Sequence, residues 1–86
     1  MKREQKKPPE LSSQAVKAIQ KMDAKTKQRI RKGILEIPDG DISILQGTDS
    51  TLRLRIGGWR VLFRWMSDEQ ILVQKISPRG DAYKGV

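Results

Sequence analysis

The chain has 86 residues, 18 Lys and Arg against 10 Asp and Glu, a formal net charge of +8, and neither cysteine nor histidine. A chain this short buries only about 60 per cent of its surface on folding, which suits one domain with a modest core. Without cysteine there are no disulfides or thiolate metal sites. Without histidine the commonest general acid–base, the commonest zinc ligand and every Ser–His or Cys–His nucleophile are gone.

No apolar run approaches the ~20 residues that span a bilayer, and residues 1–9 lack the apolar stretch of a signal peptide. A cytoplasmic protein with no membrane partner, no metal and no other cofactor is expected. Four basic side chains and one acidic one fall in residues 1–9, so most of the positive excess lies in the remainder. Such a balance favours a nucleic acid, a ribosomal surface or an acidic protein as partner, with a plain solubilising surface as the other reading.

Residues 1–10 are lysine-rich, contain Pro8-Pro9 and offer little to bury, which predicts a flexible segment or at most an extended edge piece ahead of a single domain over 11–86. Ser12 or Ser13 can cap a first helix whose Ala15, Ala18, Ile19 and Met22 share a face, and Asp23 can end it while capping a second. In the second helix Thr26, Ile30, Gly33, Ile34 and Ile37 recur at helical spacing, with Gly33 leaving room for another backbone, until Pro38-Asp39-Gly40 stops the run. The two form a hairpin. Lys25, Arg29 and Lys32 stripe the second helix, a pattern that can touch phosphate but is more often a solvated face. Residues 41–47 read as a connector laying Ile42, Ile44 and Leu45 across the edge of the core.

Thr51 to Ile56 alternates strictly, with Leu52, Leu54 and Ile56 on one side and Thr51, Arg53 and Arg55 on the other. Gly57-Gly58 suits a two-residue primed turn, and Trp59, Val61, Phe63 and Trp65 share a face of the following strand. The implied register sets Ile56 against Trp59, Leu54 against Val61 and Leu52 against Phe63, an apolar surface for the helices to cover. On the opposite face it sets Arg55 against Arg60, Arg53 against Leu62 and Thr51 against Arg64. Like charges facing each other cost stability, and an anionic ligand relieves that cost. Arginine is always charged and its planar fork grips phosphate, so the face reads as a phosphate or RNA site, against the alternative of a solvated polar face.

Ser67-Asp68-Glu69 makes the next turn and residues 70–76 a third strand. Its alternation is ambiguous, because Ile71 and Val73, or Leu72 and Ile76, can face inward, which leaves Lys75 on either side. The turn-rich Ser77-Pro78-Arg79-Gly80-Asp81-Ala82-Tyr83 follows, and Tyr83 can stack on a base or plug the edge of the core.

Ala15-Val16-Lys17 with Ile19, Met22 and Asp23, then Leu45-Gln46-Gly47, the run Leu52 to Phe63, and Arg79-Gly80-Asp81-Ala82-Tyr83 together resemble the RelE/ParE superfamily, most closely its RelE-like branch. These are the small basic toxins of bacterial toxin–antitoxin modules. The likeness spans nearly everything from Leu11 onward. It implies an α+β fold, an N-terminal helical hairpin packed on a small, mainly antiparallel β-sheet, and a cognate antitoxin protein that wraps the toxin. It further implies cleavage of mRNA on the ribosome by attack of a ribose 2′-hydroxyl on the adjacent phosphate, a reaction that needs no metal. In that picture Arg60 and Arg79 hold the scissile phosphate and Tyr83 stacks on or orients the substrate base. Arg53 and Arg55 lie in the strand that carries further basic site residues, and Arg64, Lys75 and Lys84 complete the expected RNA-binding set.

The resemblance leaves the general base open. Arginine, with a pKa above ~12, stabilises developing charge and does not accept the proton. Some RelE enzymes have lysines where Thr51 and Arg53 stand, and many members have a histidine where Ser77-Pro78 stands. The base then falls to Lys75, Lys84, Asp81 or Tyr83, or the rate comes from positioning and phosphate stabilisation. Two other functions sit on the same features: a ParE-like inhibitor of DNA gyrase, since fold does not fix target, and a non-catalytic RNA- or ribosome-binding protein.

Overall fold

The structure is a computed structural model that describes residues 3–44 and 51–78. In chain order it forms β1 (Glu10–Leu11), α1 (Ser13–Gln20), α2 (Ala24–Leu35), β2 (Asp41–Ile44), β3 (Leu52–Ile56), β4 (Trp59–Trp65) and β5 (Ile71–Pro78). The strands make one sheet in the order β1-β5-β4-β3-β2, antiparallel except where β1 runs parallel to β5. This is the expected α+β arrangement, a helical hairpin against a mainly antiparallel sheet. Among the described residues no helix is long and apolar enough to cross a membrane.

Both helix starts are set by side chains that satisfy an otherwise orphaned backbone N–H. Ser12 is the α1 cap, its Oγ accepting from Ala15 N at 3.1 Å. Asp23 caps α2, accepting from Thr26 N at 3.3 Å, and the hydrogen bonds from Thr26 hold its carboxyl below the usual carboxylate range. Ala15, Met22, Ile30, Ile34 and Ile37 come off the helical hairpin into a core completed by Leu54, Val61, Phe63, Ile71, Val73 and Ile76. α1 lies over β5 and α2 over β3. Gly33 does permit a close approach, but the neighbour is the Ile56 side chain and not a second backbone: a Cβ at Gly33 would collide with Ile56 Cδ1 and sit 3.0 Å from its Cγ1.

The β3–β4 hairpin has the register its alternation implies, with Ile56 against Trp59, Leu54 against Val61 and Leu52 against Phe63. Of the two turn glycines only Gly57 has positive φ, at +56°. The guanidinium of Arg29 rests over this turn, its Nη2 only 2.7 Å from where a Gly57 Cβ would lie.

One feature departs from the sequence reading, and two that it left open are resolved. Residues 41–44 are not a connector but the edge strand β2, paired antiparallel to β3 from Asp41↔Arg55 to Ile44↔Leu52. The N-terminal segment takes the extended alternative: Glu4 N donates to Asp68 O at 2.9 Å, Lys6 N to Glu69 O at 2.8 Å, and Gln5 Nε2 to the carbonyls of Ile34 and Ile37 at 2.7 and 3.0 Å. In β5 the ambiguity is resolved by an irregularity: Lys75 faces Leu62 and Val73 faces Phe63, so Gln74 is the extra residue of a β-bulge. The bulge lets Ile71, Val73 and Ile76 all be buried.

Beyond the two residues of β1, the outer edge of β5 is closed by side chains. Ser12 Oγ donates to Gln74 O at 2.7 Å, and the Gln14 amide imitates a strand residue, its Nε2 donating to Ile76 O and its Oε1 accepting from Ile76 N, both at 3.0 Å. Gln14→Ala should therefore leave both partly buried backbone groups unsatisfied and cost about 1–3 kcal/mol, read as a lower urea midpoint with an unchanged m-value.

The lowered pKa of Asp23 gives a second expectation, with a definite sign. Its charged form is favoured in the folded state, so the stability it contributes is full above the unfolded value of about 3.9 and is lost as pH falls through the lower folded value. Asp23→Asn keeps a capping oxygen without the titration. The Tm difference between wild type and this variant should shrink on acidification below about pH 4, and a constant difference would sink the linkage.

Candidate nucleic-acid interface

The side of the sheet away from the helices is organised in rows that the strand register aligns. Asp41, Arg55, Arg60 and Ser77 form one row across β2, β3, β4 and β5. Ser43, Arg53, Leu62 and Lys75 form the next, and Arg64 with Leu72 the one beyond. Their outward direction follows from alternation, because the interleaved Leu54, Val61, Phe63 and Val73 are buried on the helix side.

The register thus brings Arg53, Arg55, Arg60, Arg64 and Lys75 together on one surface and resolves the side on which Lys75 stands. Arg53, Arg60 and Arg64 are half-buried, whereas Arg55 and Lys75 are exposed. The Nε of Arg53 is buried with no hydrogen-bond partner. A guanidinium held this way retains unused donor capacity, the condition for charge-assisted bonds to an incoming oxyanion. Arg55 has a long contact with Asp41, Nε to Oδ2 at 3.9 Å, and at such exposure this pair is weak. Leu62 supplies an apolar patch between Arg53 and Lys75.

Arg79, Tyr83 and Lys84 lie outside the described residues, as does the Leu45-Gln46-Gly47 segment. Thr51 precedes the β3 ladder, and its Oγ1 donates to Gln74 Oε1 at 3.4 Å. Sequence reasoning missed Asp41 and Ser43, which β2 carries onto the face. The signal was present in Asp41-Ile42-Ser43-Ile44, whose polar–apolar alternation has the period of a strand.

Fold and face together define a class: a small α+β domain with a helical hairpin on one side of its sheet and a cationic surface on the other. Chains in solved structures of RelB–RelE antitoxin–toxin complexes share that fold. A chain of the complex from Methanococcus jannaschii superposes with a TM-score of 0.72 at 19% identity, over 88% of this chain and 96% of that one. One from Pyrococcus horikoshii OT3 gives 0.63 at 29% identity over 84% and 93%. One from the intact E. coli RelBE complex gives 0.65 at 14% identity over 81% and 93%. No protein-family model matches the chain, and no curated protein sequence does. The chain has a RelE-like fold, two helices on a five-stranded mixed sheet, in agreement with the resemblance.

The crowded face makes a stability prediction. Arg53→Met removes one of the clustered charges and an unpartnered buried N–H while keeping an unbranched stem, so the free protein should gain up to about 1 kcal/mol in urea unfolding and lose affinity for an RNA oligomer. A loss of stability would show that Arg53 is satisfied in solution and that the face is not strained.

Proposed function

We propose that the chain is the toxin of a toxin–antitoxin pair and that it inhibits translation as a metal-independent, ribosome-dependent mRNA endoribonuclease acting in the cytoplasm. The observation that carries this reading is the alignment of Arg53, Arg55, Arg60, Arg64 and Lys75 on one face of a RelE-like sheet. A cognate antitoxin is the protein partner, as in the antitoxin–toxin complexes that share the fold.

In the reaction the ribose 2′-oxygen attacks the adjacent phosphorus, the bond to the 5′-oxygen breaks, and the products are a 2′,3′-cyclic phosphate and a 5′-hydroxyl. The 2′-proton leaves as the nucleophile forms, and a proton reaches the departing oxygen. Arg60 and Arg79 are assigned the scissile phosphate, where fixed positive charge stabilises the doubly charged phosphorane-like state. Tyr83 is assigned to the substrate base. Arg53, Arg55, Arg64, Lys75 and Lys84 hold the flanking backbone and line up the 2′-oxygen with the bond to be broken.

A second reading, a non-catalytic RNA- or ribosome-binding protein, draws support from the chemistry of the face. Among the described residues its one carboxylate, Asp41, stands beside Arg55, and its one lysine is Lys75. Primer extension on a defined mRNA in a reconstituted translation mixture, with and without ribosomes, separates the possibilities. The nuclease reading expects new 5′ ends that require ribosomes and fall about 10²–10³-fold with Arg60→Ala. Stalled translation without new ends would replace it with the binder. Untouched translation together with inhibited gyrase supercoiling would move the function to a gyrase inhibitor.

A further inference from the structure

The cationic surface does not stop at β5. Between α1 and the paired ends of β4 and β5 lies a cleft of about 490 Å³, lined by Lys17 and Ala18 of α1 and its C-cap Lys21, by Trp59 of β4, and by Lys75 and Ser77 of β5. Its size falls in the ~300–1,000 Å³ range of ligand sites. Among the described residues no acidic side chain lines it. None of the three lysines makes an ion pair among the described residues. The cleft between α2 and β3 differs, since there Arg29, Lys32 and Arg55 meet Glu36, Asp39 and Asp41 in equal number.

The α1 dipole offers a partial account of the lysines, because cations near a helix C-terminus are favoured. That covers Lys17 and Lys21 but not Lys75 on the facing strand. The Gln14 amide on the wall of the cleft is committed to both backbone groups of Ile76 and cannot reach a ligand without opening the edge of the sheet. Trp59 is half-buried and supplies the one aromatic surface among the described residues of the cleft. β5 is shared with the arginine face: Ser77 is opposite Arg60, and Lys75 is opposite Leu62.

Resting on the RNA reading of that face, we propose that this cleft holds the neighbouring part of the same RNA strand, its phosphate among Lys17, Lys21 and Lys75 and its base against the indole of Trp59. A single strand is favoured over an acidic peptide because the cleft pairs clustered cations with an aromatic wall, the combination that follows a phosphodiester backbone while a base stacks. The strand would cross the arginine rows and turn over the β5 edge into the cleft.

Trp59 is one of two tryptophans, so Trp65→Phe makes it the sole indole reporter. In that background an uncleavable 2′-O-methyl nonanucleotide should quench the fluorescence. Adding Lys17→Ala and Lys21→Ala should remove most of the quench, weaken binding about tenfold and reduce the slope of log K against log salt by roughly 1.4, two single-strand phosphate contacts. Arg53→Ala should weaken binding yet leave the quench at saturation intact. A nonanucleotide that binds with unchanged Trp59 emission, and equally well to the double lysine variant, overturns the cleft assignment and leaves the arginine face standing. No binding to the parent protein overturns the RNA reading itself, and the cleft with it. A decaglutamate peptide that quenches Trp59 as strongly as the RNA overturns the nucleotide assignment in favour of an acidic protein partner.

Discussion

The register of β3 against β4 is the constraint from which the rest of the molecule follows. It places Leu54, Val61 and Phe63 under the helices and Arg53, Arg55, Arg60 and Arg64 on the other side. Each buried apolar side chain contributes roughly 1.5–3 kcal/mol, whereas a pair of facing like charges costs roughly 0.2–1 kcal/mol, so the core side decides the pairing and the arginine side tolerates it. A one-residue slip would exchange the two faces and put guanidinium groups into the core. The turn limits such a slip, because Gly57 holds a positive φ of +56° beneath the Arg29 guanidinium, where a Cβ would meet both backbone strain and a close contact.

A sheet committed in this way must still close its edges, and the chain does so with few residues. On one side β1 contributes only Glu10 and Leu11, and the Ser12 and Gln14 side chains continue the pairing along β5. These residues also begin α1, so capping the helix and sealing the edge are one local event. On the other side the edge strand β2 carries Ile44, which is 73% exposed. The unequal finish of the two edges matches the distribution of the helices, since α1 is fastened to β5 by hydrogen bonds and α2 meets β3 through Ile56 over Gly33.

What could be read in advance, and what could not, divides along the range of the interactions involved. The hairpin was legible because period-two alternation on both sides of a Gly-Gly turn is a local signal that names faces and register at once. Asp23, a cap at Ser12 or Ser13, and the helical apolar spacing were legible for the same reason. β2 was harder to read, because its alternation runs over only four residues directly after a helix stop and resembles a connector until it is paired with β3. The pairing of residues 3–11 has no local signature at all, and Pro8-Pro9 argues against a strand. Of the two candidate inward sets in β5, Ile71 and Val73 both face the core, and Ile76 joins them without Leu72 because the bulge at Gln74 changes the phase partway along the strand. The same limits apply to the face: the arginines of β3 and β4 were visible, Lys75 needed the bulge, and Asp41 and Ser43 needed β2. Arg79, Tyr83 and Lys84 rest on family resemblance.

The bulge also carries the link between fold and chemistry. With unbroken alternation through residues 71–76, β5 would present Ile71, Val73 and Lys75 to one side and Leu72, Gln74 and Ile76 to the other, so a buried Val73 would take Lys75 into the core and leave Ile76 in solvent. One extra residue corrects both errors, burying Ile76 and turning Lys75 outward opposite Leu62. In the same step it sets a lysine at the border between the arginine rows and the cleft beneath Trp59. The RelE-like likeness at 14% to 29% identity is consistent with this division of labour. Many sequences satisfy the apolar side of such a sheet, while what the outer side can bind depends on a few cations placed by register and by one irregularity in the last strand.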